Sequence, residues 1–447
     1  MKQRFQTIVY QWNYCQFTSK FVHLFNNIIP MRSPLGLLVF IAILLLMDWY
    51  IFQSIKYLLL DVSPRTQSFV IGLYWGIAVI SVMVLLTYNL MHEDFLSKKV
   101  RTYMLALVIG LFIAKFVAVV IFFIDDCRRF VQWAYVAFFD SPVAKQSADY
   151  SNHISRSSFL SWLGMLTAGS LFGTLVYGFN NKYNYQVRTE RLHFPNLPLS
   201  FRGLRILHIS DIHSGSFLDK QDVAKGIDVI MQQNADLILF TGDLVNNKAS
   251  EMDEYKHLFS SIKAPMGVYS VLGNHDYGDY IQWPSDGISK MENLTRLKNI
   301  HSDMGWRLLL NEHVELKKNK DVIALMGIEN WSAKSNFPKY GKMDLAYDGT
   351  EKYPFKILMS HDPSHWHGQI LKYYKDVDLT LSGHTHGMQF GVELPGFKWS
   401  PIQYVYKEWA GLYENGASKL YVNRGFGFLG YPGRVGVLPE ITVLELI

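Results

Sequence analysis

Five short blocks of polar residues stand in the second half of the chain, and each follows an apolar run. They read Asp211-Ile212-His213, Gly242-Asp243, Gly273-Asn274-His275-Asp276, Ser360-His361 and Gly383-His384-Thr385-His386. Carboxylate, amide and imidazole groups without a thiolate suit Mn, Fe or Zn ions in proteins. The blocks therefore predict a metal site, and the sequence does not choose among these ions.

The spacing within the blocks has a physical reason. In the first block an Asp and a His stand two residues apart, and side chains at that spacing on extended chain point to the same side. Both can therefore hold one cation. Gly242, Gly273 and Gly383 are expected to let the backbone turn sharply after a strand, which brings the following side chains to one point. Asp243 has two carboxylate oxygens, so it can bridge two ions.

The blocks follow predicted strands of a layered domain. From Leu204 onward, short β-branched or apolar runs alternate with amphipathic stretches, which is typical of an α/β protein. The predicted strands are Leu204–Ser210, Leu237–Thr241, Val268–Leu272, Val322–Met326, Phe355–Met359, Leu379–Leu381, Leu420–Val422 and Ile441–Leu446. Because ligands of α/β sheets bind beyond the carboxyl ends of strands, the blocks are expected to meet at one edge.

Taken together, the five blocks resemble the calcineurin-like metallophosphoesterases, whose pattern is D-x-H, G-D, G-N-H-D/E, a lone His and G-H-x-H. All five are present in this order, and the resemblance covers Tyr183 to Ile447. A motif set of this length is far more specific than any one of its parts. The resemblance implies an α/β four-layer sandwich with mixed sheets flanked by helices.

The resemblance also implies two divalent metal ions and a protonating residue. The first ion would be held by Asp211, His213, Asp243 and His386. The second would be held by Asp243, Asn274, His361 and His384. His275, oriented by Asp276, would stabilise the transition state and help to protonate the leaving oxygen. Two such ions can lower the pKa of a shared water until hydroxide attacks phosphorus in line.

Two features near the predicted site each leave two interpretations open. Arg424 follows another predicted strand at a position that resembles one near the metals in the family, and it could contact a substrate phosphate or form a structural ion pair. The segment 390–413 could form a lipid-facing rim or pack on the core. Its large aromatic residues are Trp399, Tyr404, Tyr406 and Trp409.

The first half of the chain predicts a membrane region of four helices. Four apolar runs are long enough to cross a bilayer, at 35–58, 68–91, 103–124 and 158–178. The predicted organisation is a tail at 1–34, a membrane region at 35–178, a linker at 179–182 and the phosphoesterase domain at 183–447. Asp48 and Lys115 fall within spans and are predicted to pair, although each could instead face a polar neighbour or reach the interface.

The charge distribution and the cysteine content limit the orientation, the kinds of site and the partners that the sequence allows. Lys and Arg residues before the first span and between the second and third predict a cytoplasmic catalytic domain, in a bacterial inner membrane. Against this, the third loop is also basic and Ser155–Leu160 resembles a degraded twin-arginine signal. Cys15 and Cys127 lie outside the second half, so they cannot provide a disulfide or thiolate site there. The net charge of +5 shows no basic stripe, which disfavours nucleic acid, and no protein partner can be inferred.

The sequence thus predicts a membrane-anchored, metal-dependent hydrolase of phosphoester or pyrophosphate bonds. Its substrate is expected to be phosphorylated and lipid-linked, because membrane-bound members of the family resemble UDP-2,3-diacylglucosamine hydrolases of lipid A synthesis. The alternatives within enzymes are a general or cyclic-nucleotide phosphodiesterase and a protein phosphatase. Outside enzymes they are a non-catalytic sensor of a phosphorylated ligand and a transporter formed by the membrane half.

Overall fold

The computed structural model describes residues 34–90, 95–139, 156–285, 287–335 and 337–447. They form two compact units that divide between Val176 and Tyr177. The predicted N-terminal tail lies outside the described residues except for Pro34. Lys145 and the basic residues before the first span also lie outside the described residues. These residues contribute to the predicted orientation.

The first unit consists of long helices. They are α1 (Pro34–Leu58), α2 (Pro64–Leu90), α3 (Lys98–Phe139) and α4 (Arg156–Gly178). Stretches long and apolar enough to span a membrane run over Pro34–Leu58, Pro64–Leu90, Lys98–Tyr135 and Ser158–Asn181. The described residues therefore contain a candidate helix for each of the four predicted spans.

Helix α3 continues to Phe139, well past Ile124, where the third span was predicted to end. The charged residues beyond Ile124 are paired along the helix. Arg128 Nε lies 2.9 Å from Asp125 Oδ1, and Arg129 Nε lies 3.5 Å from Asp125 Oδ2. Because ion pairs one turn apart stabilise a helix, this charged run extends α3 instead of ending it.

A buried charge pair joins three of the membrane helices. Lys115 Nζ of α3 lies 2.8 Å from Asp48 Oδ1 of α1, and the hydroxyl of Tyr74 in α2 donates to the same oxygen at 2.8 Å. Asp48 is fully buried and Lys115 is 9% exposed. The predicted pairing is confirmed, and it removes the cost of an isolated charge in hydrocarbon.

The second unit contains two six-stranded sheets and a two-stranded hairpin. In chain order the strands are β1 (Gln186–Leu192), β2 (Arg205–Ile209), β3 (Leu237–Phe240), β4 (Val268–Ser270), β5 (Arg307–Leu308), β6 (Glu312–Lys318), β7 (Asp321–Gly327), β8 (Lys356–Met359), β9 (Leu379–Ser382), β10 (Val392–Leu394), β11 (Phe397–Trp399), β12 (Gly411–Asn415), β13 (Ser418–Val422) and β14 (Glu440–Leu446). The first sheet has the order β1-β14-β2-β3-β4-β5, and the second has the order β12-β13-β9-β8-β7-β6. Both sheets mix parallel and antiparallel pairs.

Helices cover the outer faces of both sheets. They are α5 (Lys220–Met231), α6 (Lys256–Phe259), α7 (Lys290–Asp303), α8 (Met343–Tyr347) and α9 (Leu371–Tyr373). Asp219 caps the N-terminus of α5, and its side chain accepts hydrogen bonds from two amides of the first turn. It buries Val223, Ile227 and Ile230 against the first sheet, as expected of an amphipathic helix.

Alternating residues of the strands fill separate hydrophobic cores. Ile206 and Leu237 belong to the core between the two sheets, whereas Leu207 and Ile238 belong to the core under α5 to α7. Leu358 of the second sheet packs in a third core with α8. Because the central strands are buried on both faces, they appear in the sequence as continuous apolar runs. The layers follow the order helix, sheet, sheet, helix, which confirms the predicted four-layer sandwich.

Strand direction places the polar blocks together. Strands β2, β3 and β4 are parallel neighbours in the first sheet, and β8 and β9 are parallel neighbours in the second. The amide of His384, beyond β9, donates to both oxygens of Asp211, beyond β2, at 3.0 Å each. The carboxyl ends of strands from both sheets therefore meet at one edge.

Candidate metal centre

Six of the predicted metal ligands form two buried clusters at this edge. In each cluster the ligand atoms lie within 4.8 Å of one another. The first cluster contains Asp211, His213 and His386, and the second contains Asp243, His361 and His384. The predicted convergence of residues far apart in the chain is therefore present.

The first cluster presents imidazole nitrogens that need a partner. His386 Nε2 lies 3.3 Å from Asp211 Oδ1, and the rings of His213 and His386 are 4.9 Å apart. Nε2 of both histidines is buried without a hydrogen-bond partner among the described residues. His213 Nδ1 donates to Asn246 Oδ1 at 3.1 Å, so its Nε2 carries the lone pair. An unpaired buried nitrogen is costly, and a cation would satisfy it.

The second cluster includes Asn274, the seventh predicted ligand. Asn274 Oδ1 lies 3.1 Å from His361 Nε2 and 2.8 Å from His384 Nδ1. His361 Nδ1 donates to the carbonyl of Thr241 at 2.8 Å, which orients the ring so that Nε2 faces the cluster. Ligand atoms around one ion, with bonds of about 2.0–2.2 Å, stand ~3 Å apart, so this spacing fits a metal.

Asp243 lies between the clusters. Its Oδ2 is 3.1 Å from His361 Nε2 in the second cluster and 3.5 Å from His213 Nε2 in the first. Its Oδ1 accepts a hydrogen bond from the amide of His275 at 2.8 Å, which fixes the carboxylate. This geometry fits the predicted bridging role of Asp243.

The proton affinities of these groups follow from burial and from their neighbours. Burial lowers the pKa of His213 to about 3 and that of His384 to about 4, so both imidazoles are neutral at pH 7. Burial also lowers the pKa of His386 well below its usual value, and nearby His213 adds to this. Burial would also lower the pKa of His361, but its interactions with neighbouring groups, chiefly the carboxylate of Asp243, together have the larger effect and raise the pKa of His361 to about 10. Most of these imidazoles thus keep a lone pair for a cation.

The backbone of the site is strained at the ligands themselves. The ligands with positive φ are Asp211 (51°), His213 (48°), Asp243 (60°), His384 (71°) and His386 (50°). Residues other than glycine adopt this conformation at a cost of about 1–3 kcal/mol each, and such residues cluster at functional sites. Backbone hydrogen bonds hold this strained conformation in place. The amide of Asp211 donates to the carbonyl of Gly242 at 2.9 Å, and the amide of His213 donates to the carbonyl of Asp243 at 3.1 Å.

The three glycines of the blocks lie where other chain segments pass closely: a Cβ at Gly242 would collide with the backbone of Gly273. Only Gly242 has a positive φ, at 98°. A Cβ at Gly273 would collide with Asp243, and one at Gly383 would collide with Ser210 and Asp211. Glycine is therefore needed at all three positions, because other chain segments pass too closely for a side chain.

Asp276 does not orient His275, so this prediction was wrong. Its carboxylate is fully buried, and its described hydrogen bonds come from backbone amides. The donors are the amides of Asp243 and Gly273, both at 2.9 Å, Leu244 at 2.8 Å and Val245 at 3.2 Å. Because these amides belong to the turns after β3 and β4, Asp276 holds the backbone that presents Asp243 and Asn274.

Asn246 takes the role that was predicted for Asp276. Its carbonyl accepts a hydrogen bond from His275 Nδ1 at 2.8 Å, and its side chain contacts His213 Nδ1. The ring of His275 lies 5.0 Å from that of His213 and is only partly buried. The contact with His275 runs through the backbone carbonyl of Asn246, so no residue type in the sequence marks it.

Tyr406 and Asp362 support the second cluster, and neither was predicted to do so. His384 Nε2 lies 2.9 Å from the hydroxyl of Tyr406, which donates to Asp362 Oδ2 at 3.2 Å. His384 therefore donates from Nε2 and keeps its Nδ1 lone pair beside Asn274. Tyr406 and Trp409 are buried, so the packing interpretation is correct for them, whereas Tyr404 is 72% exposed.

The side chain of Arg424 lies in a buried ion-pair network. Its Nε is 2.7 Å from Glu393 Oε1, its Nη1 contacts Glu440, and the residue is 4% exposed. The ion-pair interpretation accounts for these contacts. A contact with a substrate phosphate stays a prediction.

Two family models match the chain. One, described as "Probable Calcineurin-like phosphoesterase, transmembrane domain", matches residues 31–182. The other, described as "Calcineurin-like phosphoesterase", matches residues 204–388, a range that contains both clusters. The two matches correspond to the membrane helices and to most of the sandwich.

Several named proteins are similar to this chain. A "Transmembrane protein with metallophosphoesterase domain" from Danio rerio is 30% identical over 259 residues, which are 56% of this chain and 54% of that protein. The "Uncharacterized metallophosphoesterase YkuE" of Bacillus subtilis is 29% identical over 310 residues, 66% of this chain and 98% of that protein. The "UDP-2,3-diacylglucosamine pyrophosphatase LpxG" of Chlamydia trachomatis is 29% identical over 291 residues, 54% of this chain and 84% of that protein. The match thus spans about half the length of the Danio rerio relative.

Proposed function

We propose that this chain, which belongs to the calcineurin-like phosphoesterases, uses two divalent ions to hydrolyse a phosphoester or pyrophosphate bond of a lipid-linked substrate. The observation that carries the proposal is the position of Asp243 between two buried clusters of oxygen and imidazole ligands. A single carboxylate shared in this way suits a pair of ions better than one ion.

The chain offers a ligand set for each ion. The first set is Asp211, His213, Asp243 and His386, and the second is Asp243, Asn274, His361 and His384. Two observations support this assignment: Nε2 of His213 and of His386 have no hydrogen-bond partner among the described residues, and Thr241 and Tyr406 hold His361 and His384 with their other ring nitrogens facing the second cluster. We expect Mn²⁺ to support turnover, although the ligand types also suit Fe and Zn. When bound, the ions supply Lewis acidity that activates water and offsets charge on the phosphate oxygens.

His275 is the residue that we assign to protonation of the leaving group. Its backbone amide donates to Asp243 and its Nδ1 donates to the carbonyl of Asn246, so both the backbone and the ring are held. Because Nδ1 donates to Asn246, Nε2 is the nitrogen that can exchange a proton with a substrate. The ring is partly exposed, which leaves it accessible to a bound phosphate ester.

The membrane region supports the assignment of a lipid-linked substrate. Four candidate spans tether the domain to a bilayer, where a lipid-linked phosphate is concentrated. The Chlamydia trachomatis relative is named as a pyrophosphatase of UDP-2,3-diacylglucosamine, and we propose a substrate of that class for this chain. A cytoplasmic domain on a bacterial inner membrane, as the basic loop residues predict, is part of the same proposal.

The test uses the full chain purified in detergent and loaded with Mn²⁺. Turnover of UDP-2,3-diacylglucosamine and of bis(p-nitrophenyl) phosphate is measured for the wild type, for Asp243→Asn and for Asp253→Asn. Asp253 is an exposed carboxylate that pairs with Arg296 at 2.7 Å, so its variant is a matched control. We expect Asp243→Asn to lose at least about 100-fold on both substrates and the control to retain activity.

The outcomes separate the proposed function from its alternatives. Wild-type turnover by Asp243→Asn would exclude the proposed site. Hydrolysis of the soluble diester alone would favour a general phosphodiesterase, for which cyclic nucleotides are the next substrates to test. Stoichiometric Mn²⁺ binding without turnover of either substrate would favour a sensor of a phosphorylated ligand.

A further inference from the structure

The hairpin β10–β11 has one apolar and one charged face. Its register pairs Val392 with Trp399, Glu393 with Lys398 and Leu394 with Phe397. Because side chains alternate along a strand, the four apolar residues share one face, which we call the hairpin face (Val392, Leu394, Phe397 and Trp399). Glu393 and Lys398 lie on the opposite side.

Charged contacts fix the hairpin so that the hairpin face points away from the sandwich. Glu393 accepts hydrogen bonds from Arg188 at 2.5 Å and from Arg424 at 2.7 Å, and its side chain is 12% exposed. Lys398 Nζ donates to the carbonyl of Ala410 at 2.6 Å. The domain therefore binds the polar side of the hairpin and exposes the apolar side, the reverse of the usual arrangement in a water-soluble sheet.

The exposed side chains of the hairpin face are large. Leu394 is 63% exposed, Phe397 56% and Val392 42%. Two further apolar side chains close by in the chain, Met388 and Tyr404, are 54% and 72% exposed. A group of exposed apolar residues of this kind marks a surface that binds a membrane or another protein.

Contacts at the base of the hairpin connect it to the end of the last candidate span. The amide of Gly391, next to β10, donates to the carbonyl of Val435 at 2.9 Å. The neighbouring amide of Arg434 donates to the carbonyl of Gly178 at 2.9 Å, and the rings of Phe179 and Tyr431 are 5.6 Å apart. Gly178 ends helix α4, and residues 178–181 belong to the last candidate span. All these contacts lie within the second unit.

We propose that the hairpin face inserts into the lipid interface beside the end of this span. Segment 431–435 contacts both the end of the span and the base of the hairpin, so both are held at one place on the domain. Aromatic and aliphatic side chains of this kind favour the boundary between headgroups and acyl chains. The hairpin follows the ligands His384 and His386 closely in the chain. If the proposed function holds, the inserted hairpin keeps the metal ligands near the phosphate of a membrane lipid.

The test places a fluorescent probe on the hairpin face of the full chain. Cys15 and Cys127 are replaced by Ser, Leu394→Cys is labelled with NBD, and the protein is reconstituted in vesicles of phosphatidylcholine and phosphatidylglycerol. Phe397→Cys provides a second position. Met291→Cys, at a residue of α7 that is 78% exposed, is the matched control. Quenching is measured with doxyl-labelled lipid and with aqueous iodide.

We expect the probes on the hairpin face to emit at shorter wavelength, to be quenched by doxyl lipid and to be protected from iodide, with the opposite result for Met291→Cys. Iodide quenching equal to that of the control at both hairpin positions would overturn the proposal. So would an emission shift that rises with the ratio of protein to lipid without doxyl quenching, since that result indicates contact with a second copy. The readout does not require turnover, so its failure is distinguishable from failure of the proposed function.

Discussion

Replacement of Asp276 by Asn separates a structural role of this carboxylate from a catalytic one. In the wild type, Oδ1 accepts hydrogen bonds from the amides of Leu244 and Val245, and Oδ2 accepts them from Asp243 and Gly273. Asparagine has the same shape but only one acceptor oxygen. In the variant, the NH₂ group must therefore face two buried backbone donors.

The structure sets the expected magnitude of this change. Each buried amide that loses its acceptor costs about 1–3 kcal/mol, so two of them cost about 2–6 kcal/mol. This is a large share of a typical free energy of unfolding, which is about 5–15 kcal/mol. For a domain of this size, each kcal/mol shifts the melting temperature by roughly 2–4 °C. We therefore expect Asp276→Asn to lower the melting temperature by roughly 5–20 °C.

The assay is thermal unfolding of the full chain in detergent with EDTA, so that metal binding does not contribute. Asp321→Asn is the matched control, because the Asp321 carboxylate lies near the surface, where it accepts hydrogen bonds from Ser200, the one from the amide at 3.0 Å. Its melting temperature should change by no more than about 2 °C. An equally small change for Asp276→Asn, together with a 100-fold loss of turnover, would refute the structural role and restore Asp276 to the chemistry.

Three further variants test the remaining assignments. His275→Ala should lower turnover by about 10²–10⁴-fold because a proton donor is lost. The melting temperature of this variant should not change. Comparable losses of stability and turnover would contradict the assignment. Tyr406→Phe removes the hydroxyl 2.9 Å from His384 Nε2 and should weaken Mn²⁺ affinity about 10–100-fold. An unchanged dissociation constant in a Mn²⁺ titration would argue against the proposed support of His384 by Tyr406. Asp48→Asn leaves Lys115 buried without a counter-charge and should lower the free energy of unfolding in detergent by about 3–5 kcal/mol. Adding Lys115→Met should recover part of this loss. No recovery would exclude an energetic pairing.

The sequence alone was sufficient to identify the residues that converge in the two clusters and to identify the central strands. The converging residues were predictable because their chemistry resides in the side chains and because each block directly follows an apolar run. The central strands β2, β3, β8 and β9 were predictable because burial on both faces requires such runs. Their observed ends lie within two residues of the predicted ones.

Strands at the edges of the sheets were not predicted. Strands β1, β5, β6 and β12 lie at the four edges of the two sheets. Such strands are partly exposed and carry charged residues, as in Glu312–Lys318, so their sequences lack the apolar runs of central strands. The hairpin β10–β11 was also not predicted, although its apolar and charged residues alternate.

The sequence by itself therefore determined which residue types can bind metal, where the chain is apolar enough to span a membrane and which strands are buried. Only the tertiary structure decided what holds those ligands in place. The supports are Asn246 behind His275, Tyr406 behind His384 and Asp276 behind the turns. These contacts are hydrogen bonds a few ångströms long between segments that the fold brings together, and composition and spacing along the chain do not encode them.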